Sequence, residues 1–152
     1  MKITFANPAL PTQGVVVVTA TEDAKLSKSA AVLDVKLGGA ITRAAKAAKF
    51  KGKAGESLDL MAPDTKFERV VVVGLGKPDE LKDLSLQEAG GRIYALLSGQ
   101  GATATVVLDA VEGAGIAAGD MAANLGFGAL LRSYRFDKYL TKEPKEKKPV
   151  LK

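Results

Sequence analysis

The chain has 152 residues, 47% of them hydrophobic, which is enough to bury the core of one domain. It contains no cysteine and no histidine, so disulfide bonds, thiolate chemistry and Ser-His-Asp or Cys-His catalytic triads are excluded. The longest strongly apolar runs are four residues, far below the roughly 20 needed to cross a bilayer, and the N-terminus lacks a secretory-signal pattern. We therefore expect a cytoplasmic protein without membrane contact.

The formal net charge of +5 is concentrated at one end of the chain. Residues 138–152 contain six lysines, two glutamates and two prolines, whereas the preceding 137 residues are close to neutral. Such a charged, proline-containing segment cannot bury an apolar face. The sequence therefore predicts a folded domain over residues 1–137 and a flexible, basic linker over residues 138–152.

The predicted elements alternate between strands and helices along the chain. Continuous β-branched runs predict strands that are covered on both faces at Gly14–Ala20 and Phe67–Gly74. This alternation indicates a layered α/β domain, with helices on both faces of the sheet and at least one antiparallel strand pair. In chain order, we predict strands or helices over Lys2–Ala6 (strand), Gly14–Ala20 (strand), Glu22–Leu33 (helix), Gly39–Phe50 (helix), Glu56–Met61 (strand), Phe67–Gly74 (strand), a helix from the Ser85 region, Thr103–Asp109 (strand) and Ala114–Tyr134 (helix).

Two of these helices carry more specific signals. Ser85 and Glu88 have the spacing of a capping box at a helix start, and Gly99 and Gly101 are expected to end that helix. The last helix is predicted to have a wide apolar face formed by Met121, Leu125, Phe127, Leu130 and Leu131.

Two glycine-rich loops are candidates for phosphate binding. Gly74 and Gly76 end a strand, but Asp79 replaces the third glycine of a dinucleotide fingerprint, and a P-loop would need Ser or Thr at Pro78. These glycines therefore indicate a sharp turn. The second loop comprises Gly113, Ala114, Gly115 and Ile116; it lies between a predicted strand and a long helix, where free amides could hold an anion, although a plain turn is the simpler explanation.

A basic stretch between residues 35 and 55 contains no acidic residue. Its cations could bind phosphate groups, nucleic acid or an acidic protein surface, or could simply form a solvated helix face. Phe50 is the only aromatic residue among them, so a stacking platform for single-stranded nucleic acid is not indicated. The candidate patch consists of Arg43, Lys46, Lys49, Lys51 and Lys53.

Three stretches, in this order, carry a family resemblance. They are Gly38–Leu58 (GGAITRAAKAAKFKGKAGESL), Arg69–Lys77 (RVVVVGLGK) and Gly128–Lys142 (GALLRSYRFDKYLTK). Together they resemble the N-terminal domain of the leucyl aminopeptidase family, the two-metal cytosolic peptidases called family M17, and the resemblance covers essentially the whole chain.

The resemblance implies a three-layer, macro-domain-like fold with a mixed sheet, joined through a linker to a C-terminal peptidase domain. In that family, the second domain holds two divalent metal ions, zinc or manganese, and the catalytic residues, and the enzyme is typically a hexamer. None of the catalytic signature occurs in this chain, so no catalytic or metal-binding residue can be transferred to it. The resemblance thus favours a non-catalytic structural or regulatory module; alternatives are a macro-type ADP-ribose-binding module and a nucleic-acid-binding accessory domain.

Overall fold

The computed structural model describes residues 2–6, 9–98 and 103–133. Strands and helices alternate along this part of the chain, confirming a mixed α/β domain. The elements are β1 (Gly14–Thr21), β2 (Lys25–Leu26), α1 (Lys28–Lys36), α2 (Ala40–Ala47), β3 (Ser57–Met61), β4 (Phe67–Gly74), α3 (Asp83–Leu97), β5 (Thr105–Val106) and α4 (Ala118–Ser133).

The sheet is built around the parallel pair β1 and β4. These strands are in register from Val15 opposite Arg69 to Ala20 opposite Gly74. β3 is antiparallel to β4 on its outer edge. On the other edge of β1, β5 pairs in parallel with the middle of the strand and β2 pairs antiparallel with its end. The sheet is therefore mixed, with its two valine-rich strands in the centre.

Each face of the sheet is covered by a pair of helices. Because side chains alternate along a strand, Val16 and Val18 of β1 enter one core while Val17 enters the other. The first core lies beneath α1 and α2, and the second lies beneath α3 and α4. The apolar runs at both central strands are explained by this double coverage, which the sequence predicted.

Glycines bring α3 and α4 into close contact. A Cβ atom on Gly90 would lie 1.9 Å from the carbonyl oxygen of Leu125, and one on Gly128 would lie 1.8 Å from that of Gln87. The Nε2 of Gln87 donates to Asn124 Oδ1 at 2.9 Å across the same interface. Only residues without a side chain allow the two backbones to approach this closely.

An ion pair fixes the edge strand to the sheet and to α3. Arg69 is 6% exposed, and its guanidinium donates from Nε to Asp59 Oδ1 at 2.8 Å and from its NH1 nitrogen to Leu96 O at 3.0 Å. A second hydrogen bond joins its NH2 nitrogen to Asp59 Oδ2. Leu96 lies in the last turn of α3, where a cation is favoured by the helix dipole.

Two predictions near the N-terminus were wrong. Lys2–Ala6 does not form a strand, although residues 2–5 help to line a cavity against α4. The predicted helix over Glu22–Leu33 is interrupted, because Asp23 and Ala24 have φ values of 67° and 56°, which no α-helix accommodates. The chain instead forms a tight turn and the short strand β2, and α1 starts only after Ser27, whose side chain accepts from Ala30 N.

The start of α3 and the extent of the last strand were also mispredicted. Ser85 is not the N-cap residue but lies inside the first turn, where its Oγ accepts from Lys82 N at 2.8 Å, so no Ser85–Glu88 capping box forms. The predicted strand Thr103–Asp109 is reduced to two residues, Thr105 and Val106. Gly99, Gly101 and residues from Tyr134 onward, including the predicted 138–152 linker, lie outside the described residues.

The apolar face predicted for the last helix is divided between two sides of α4. Met121 and Leu125 are buried against α3, as predicted. Phe127, Leu130 and Leu131 are instead about half exposed, at 49%, 49% and 56%. We call these three side chains the outer face of α4. The prediction failed because it assigned all five side chains to one face. The buried face of α4 consists of Met121, Leu125 and Gly128, and the other three side chains lie outside it.

Candidate functional site

The glycine-rich loop at residues 113–116 precedes α4, as predicted, but does not lead directly into the helix. Gly113 has a φ of 86°, and the helix begins only at Ala118. Ile116 packs against the core beneath α3 and α4. Asp120 places a carboxylate in the first turn of α4, where it complements the helix dipole. The amides of the loop are therefore not those of the first turn of α4.

The basic patch is exposed along α2 and the loop that follows it. All five cations are exposed, but one is already engaged: the NH1 nitrogen of Arg43 donates to Gly38 O at 2.6 Å. The backbone amide of Lys53 is held by the side chain of Glu56 at 3.0 Å, which fixes the loop shape. Lys46, Lys49 and Lys51 line an open hollow that also contains Asp23. These lysines remain accessible to an acidic partner.

A junction of three glycines ties the loop before β3 to the ends of β1 and β4. A Cβ atom on Gly52 would lie 2.0 Å from Thr21 O, and one on Gly74 would lie 2.3 Å from Lys53 O. Gly76, with a φ of 80°, donates to Gly52 O at 2.9 Å. Gly76 thus provides the predicted sharp turn, while Gly74 permits a close approach of two backbones, and both have a structural role.

A crevice opens where the parallel strands end. β1, β4 and β5 point the same way, so their carboxyl ends meet at one edge of the sheet. The chain leaves β1 towards α1 on one face and leaves β4 towards α3 on the opposite face. In α/β proteins, ligands bind in the crevice at such a reversal.

We call this space, of about 140 Å³, the strand-end crevice. It is several times larger than the roughly 30 Å³ occupied by one water molecule. Residues from the end of β1, the start of α1 and the loop after β5 surround it. Its lining consists of Thr19, Ala20, Thr21, Lys25, Leu26, Ser27, Lys28, Pro78, Ala110, Val111 and Glu112.

Thr19 is the unusual member of this lining. It is 1% exposed, yet its hydroxyl makes no hydrogen bond to any residue in the described part of the chain. A buried hydroxyl without a partner costs about 1–3 kcal/mol. Thr19 was not among the predicted site residues; the only sequence signal is the change from valine to threonine at the end of the VVVVTAT strand.

Asp109, which precedes the crevice-lining Ala110, binds the start of α1. Its Oδ2 accepts from Ser29 N at 2.8 Å and its Oδ1 accepts from Ser29 Oγ at 2.9 Å. A carboxylate at a helix N-terminus satisfies free amides and complements the helix dipole. This contact fixes the loop after β5 against α1.

Within residues 2–6, 9–98 and 103–133, no group of three or more acidic side chains is arranged to hold a metal ion. No helix in the same part of the chain is both long enough and apolar enough to span a bilayer.

Comparison with known proteins identifies the family. Residues 15–143 match the family model described as the cytosol aminopeptidase family, N-terminal domain. A probable cytosol aminopeptidase of Afipia carboxidovorans is 35% identical over 99% of this chain, and that of Chelativorans sp. is 38% identical over 92%. The chain spans 30% and 28% of the length of these two relatives.

Solved structures give the same fold. A mutant of tomato leucine aminopeptidase matches 92% of this chain with a TM-score of 0.71 and 24% identity, over 29% of its own length. The bottromycin maturation enzyme BotP in complex with Mn matches 93% of this chain with a TM-score of 0.62 and 18% identity, over 26% of its length. At these identities the likeness shows the fold alone.

Proposed function

Because the chain belongs to the cytosol aminopeptidase family, as the N-terminal domain found in its members, we propose that it is a non-catalytic module of a two-metal aminopeptidase. Its role is structural or regulatory, in a cytoplasmic enzyme that releases N-terminal amino acids from peptides. The observation that carries this proposal is the family match over residues 15–143, in a chain that spans under a third of its relatives. The absence of histidine and cysteine from the sequence supports a non-catalytic role.

The proposal places the catalytic chemistry in the part of the relatives that this chain does not match. Two divalent ions, zinc or manganese, would be held there by side chains of the peptidase domain. The two helix-covered faces of the mixed sheet support a three-layer, macro-domain-like description of the present domain.

The outer face of α4 is our candidate contact with the peptidase domain of the same polypeptide. Phe127, Leu130 and Leu131 form an exposed apolar stripe on the last described helix. Apolar side chains at i, i+3 and i+4 form one continuous strip on a helix, which suits packing against another domain. In the assembled enzyme, proposed to be a hexamer, this contact would orient the N-terminal domain on the outside.

The direct test is an activity assay on the 152-residue chain. We expect no hydrolysis of leucine p-nitroanilide in the presence of added manganese, whereas the full-length Afipia carboxidovorans relative, assayed in parallel, serves as the positive control. Metal-dependent turnover that persists in the purified chain and is abolished by a chelator would overturn the non-catalytic assignment.

The structural role needs a second experiment on the relative. Deleting its region equivalent to this chain should change its assembly state, measured by sedimentation velocity, while manganese binding to the remaining peptidase domain is retained. An unchanged assembly after deletion would contradict a role in oligomerisation.

A second candidate function is nucleotide binding, favoured by the strand-end crevice, whose lining includes Glu112 next to the loop Gly113–Ile116. In this alternative the domain binds ADP-ribose, with the diphosphate near that loop. Isothermal calorimetry with ADP-ribose at millimolar concentration tests it, and the absence of binding heat would contradict it.

A further inference from the structure

The strand-end crevice contains hydroxyl groups that lack good partners among the described residues. Thr19 Oγ1 is buried at 1% exposure and is unpaired within that part of the chain. Thr21, 9% exposed, directs its Oγ1 towards Lys25 O at 3.5 Å, at the limit of hydrogen bonding. Native proteins pair such groups with protein, water or ligand. Two under-satisfied hydroxyls on one strand therefore indicate an occupant that supplies oxygen atoms.

The start of α1 contributes positive potential to the same space. Ser27 Oγ accepts from Ala30 N at 3.1 Å and Asp109 accepts from Ser29 N at 2.8 Å, so two of the first amides are satisfied. The amide of Lys28, at the first helical position, has no acceptor within the helix. Ser27 and Lys28 both line the crevice, so this helix end faces the space that Thr19 borders.

The charged side chains around the crevice are Lys25, Lys28 and Glu112. Among the described residues the single ion pair joins Arg69 to Asp59, so neither lysine is neutralised by an acid there. Asp109, next to Ala110 in the chain, accepts from Ser29 with both carboxylate oxygens and adds a second negative charge. Two cations therefore stand against two acids, Glu112 and Asp109, and their charges balance. The free amide of Lys28 and the hydroxyl of Thr19 are both hydrogen-bond donors, and these donors favour an anionic occupant over a cationic one.

We propose that the strand-end crevice binds the phosphate group of a small molecule. Thr19 Oγ1 donates to one phosphate oxygen, and the backbone amide and ammonium group of Lys28 hold the charge. This site uses the start of α1 rather than the loop Gly113–Ile116. It does not depend on the peptidase assignment, because it rests only on groups within this domain.

The test is an NMR titration of the ¹⁵N-labelled chain with inorganic phosphate at constant ionic strength. We expect saturable shifts at the amides of Thr21, Lys28 and Ser29. Thr19→Val, which keeps the side-chain shape, should weaken binding at least about tenfold, the loss expected for one hydrogen bond to a charged group. Lys28→Gln should weaken binding severalfold, whereas Lys46→Gln, with the same charge change on α2, should leave it unchanged.

A second measurement separates ligand binding from a structural role of the hydroxyl. Without phosphate, Thr19→Val should unfold at the same temperature as the original chain or higher, because it removes an unpaired buried hydroxyl. A lower unfolding temperature would show that bound water already satisfies Thr19 and would overturn the proposal. So would non-saturable shifts, equal weakening by Lys46→Gln, or acetate binding as tightly as phosphate.

Discussion

Asp34 shows how one carboxylate sets the turn between two helices. It lies near the end of α1, is 9% exposed, and its Oδ1 accepts from Ile41 N at 2.8 Å and Thr42 N at 3.2 Å in the first turn of α2. Thr42 Oγ1 donates to its other oxygen. Gly39, the N-cap residue, has no side chain to cap α2, so Asp34 performs that function from seven residues upstream of Ile41.

Replacing Asp34 should therefore destabilise the domain. We expect Asp34→Ala to lower the free energy of unfolding by about 2–3 kcal/mol, because several amide and hydroxyl donors lose a charged acceptor. Asp79→Ala, at an exposed site in the turn after β4, should change it by less than about 0.5 kcal/mol. Urea denaturation followed by circular dichroism measures both, and equal stabilities for the two variants would contradict the capping role.

Arg69 is the second residue with a large expected effect. Its hydrogen bond to Asp59 raises the pKa of Arg69, against the opposing effect of burial. Because the folded-state pKa lies above the unfolded one, this stabilisation is fully present below the unfolded pKa and is lost only as the pH rises through the folded pKa.

We expect Arg69→Met to lower the unfolding free energy by about 2–3 kcal/mol, since Leu96 O and Asp59 lose a charged donor. The difference between Arg69→Met and the original chain should stay constant when denaturation is repeated from about pH 7 to about pH 10, below the ordinary pKa range of arginine. A difference that shrinks over this interval would contradict the assigned cause.

At the scale of elements, the α3–α4 contact depends on glycines. Gly90 and Gly128 lie where the helix backbones touch, and neither position has room for a methyl group. Gly119, in the same helix α4, provides a matched comparison, because a Cβ atom there would meet no other atom within 4 Å.

We predict opposite outcomes for two glycine-to-alanine changes in α4. Gly128→Ala should lower the unfolding free energy by at least about 3 kcal/mol, because the new Cβ overlaps a backbone carbonyl that cannot move alone. Gly119→Ala should raise it by up to about 1 kcal/mol through helix propensity. Thermal and urea unfolding test the pair; similar effects from both changes would show that the helices are not in close contact.

The elements that sequence predicted well are those whose pattern is set by burial. β4 was predicted with its observed bounds, and β3 shows the expected alternation, with Leu58 and Leu60 buried. Failures occurred where tertiary contacts decided the outcome. The turn at Asp23 is stabilised by hydrogen bonds to other loops, including Ala24 N to Lys51 O at 3.0 Å, which no local pattern reveals. Similarly, whether the hydroxyl of Thr19 finds a hydrogen-bond partner depends on its neighbours in the folded structure. The presence of a threonine in a strand does not predict it.

At the scale of the whole molecule, the outer face of α4 leaves three large apolar side chains exposed to solvent. If the face contributes nothing to the domain's own core, Leu130→Ser in the 152-residue chain should change the unfolding free energy by no more than about 0.5 kcal/mol. Leu125→Ala, on the buried side of the same helix, should lower it by about 2–5 kcal/mol. Comparable losses from both variants in urea denaturation would show that Leu130 belongs to the core, and would remove the basis for its proposed contact with another domain.

The parallel pairing of β1 with β4 has a consequence for biosynthesis. Val16 aligns with Val70, far along the chain from it. During translation, β1 is therefore synthesised well before β4, and its run of consecutive valines lacks its central partner in the meantime. Non-local strand pairing of this kind slows folding, and an unpaired apolar strand is a site for aggregation. Completion of β4 is thus the earliest point at which the nascent domain can protect its most aggregation-prone segment.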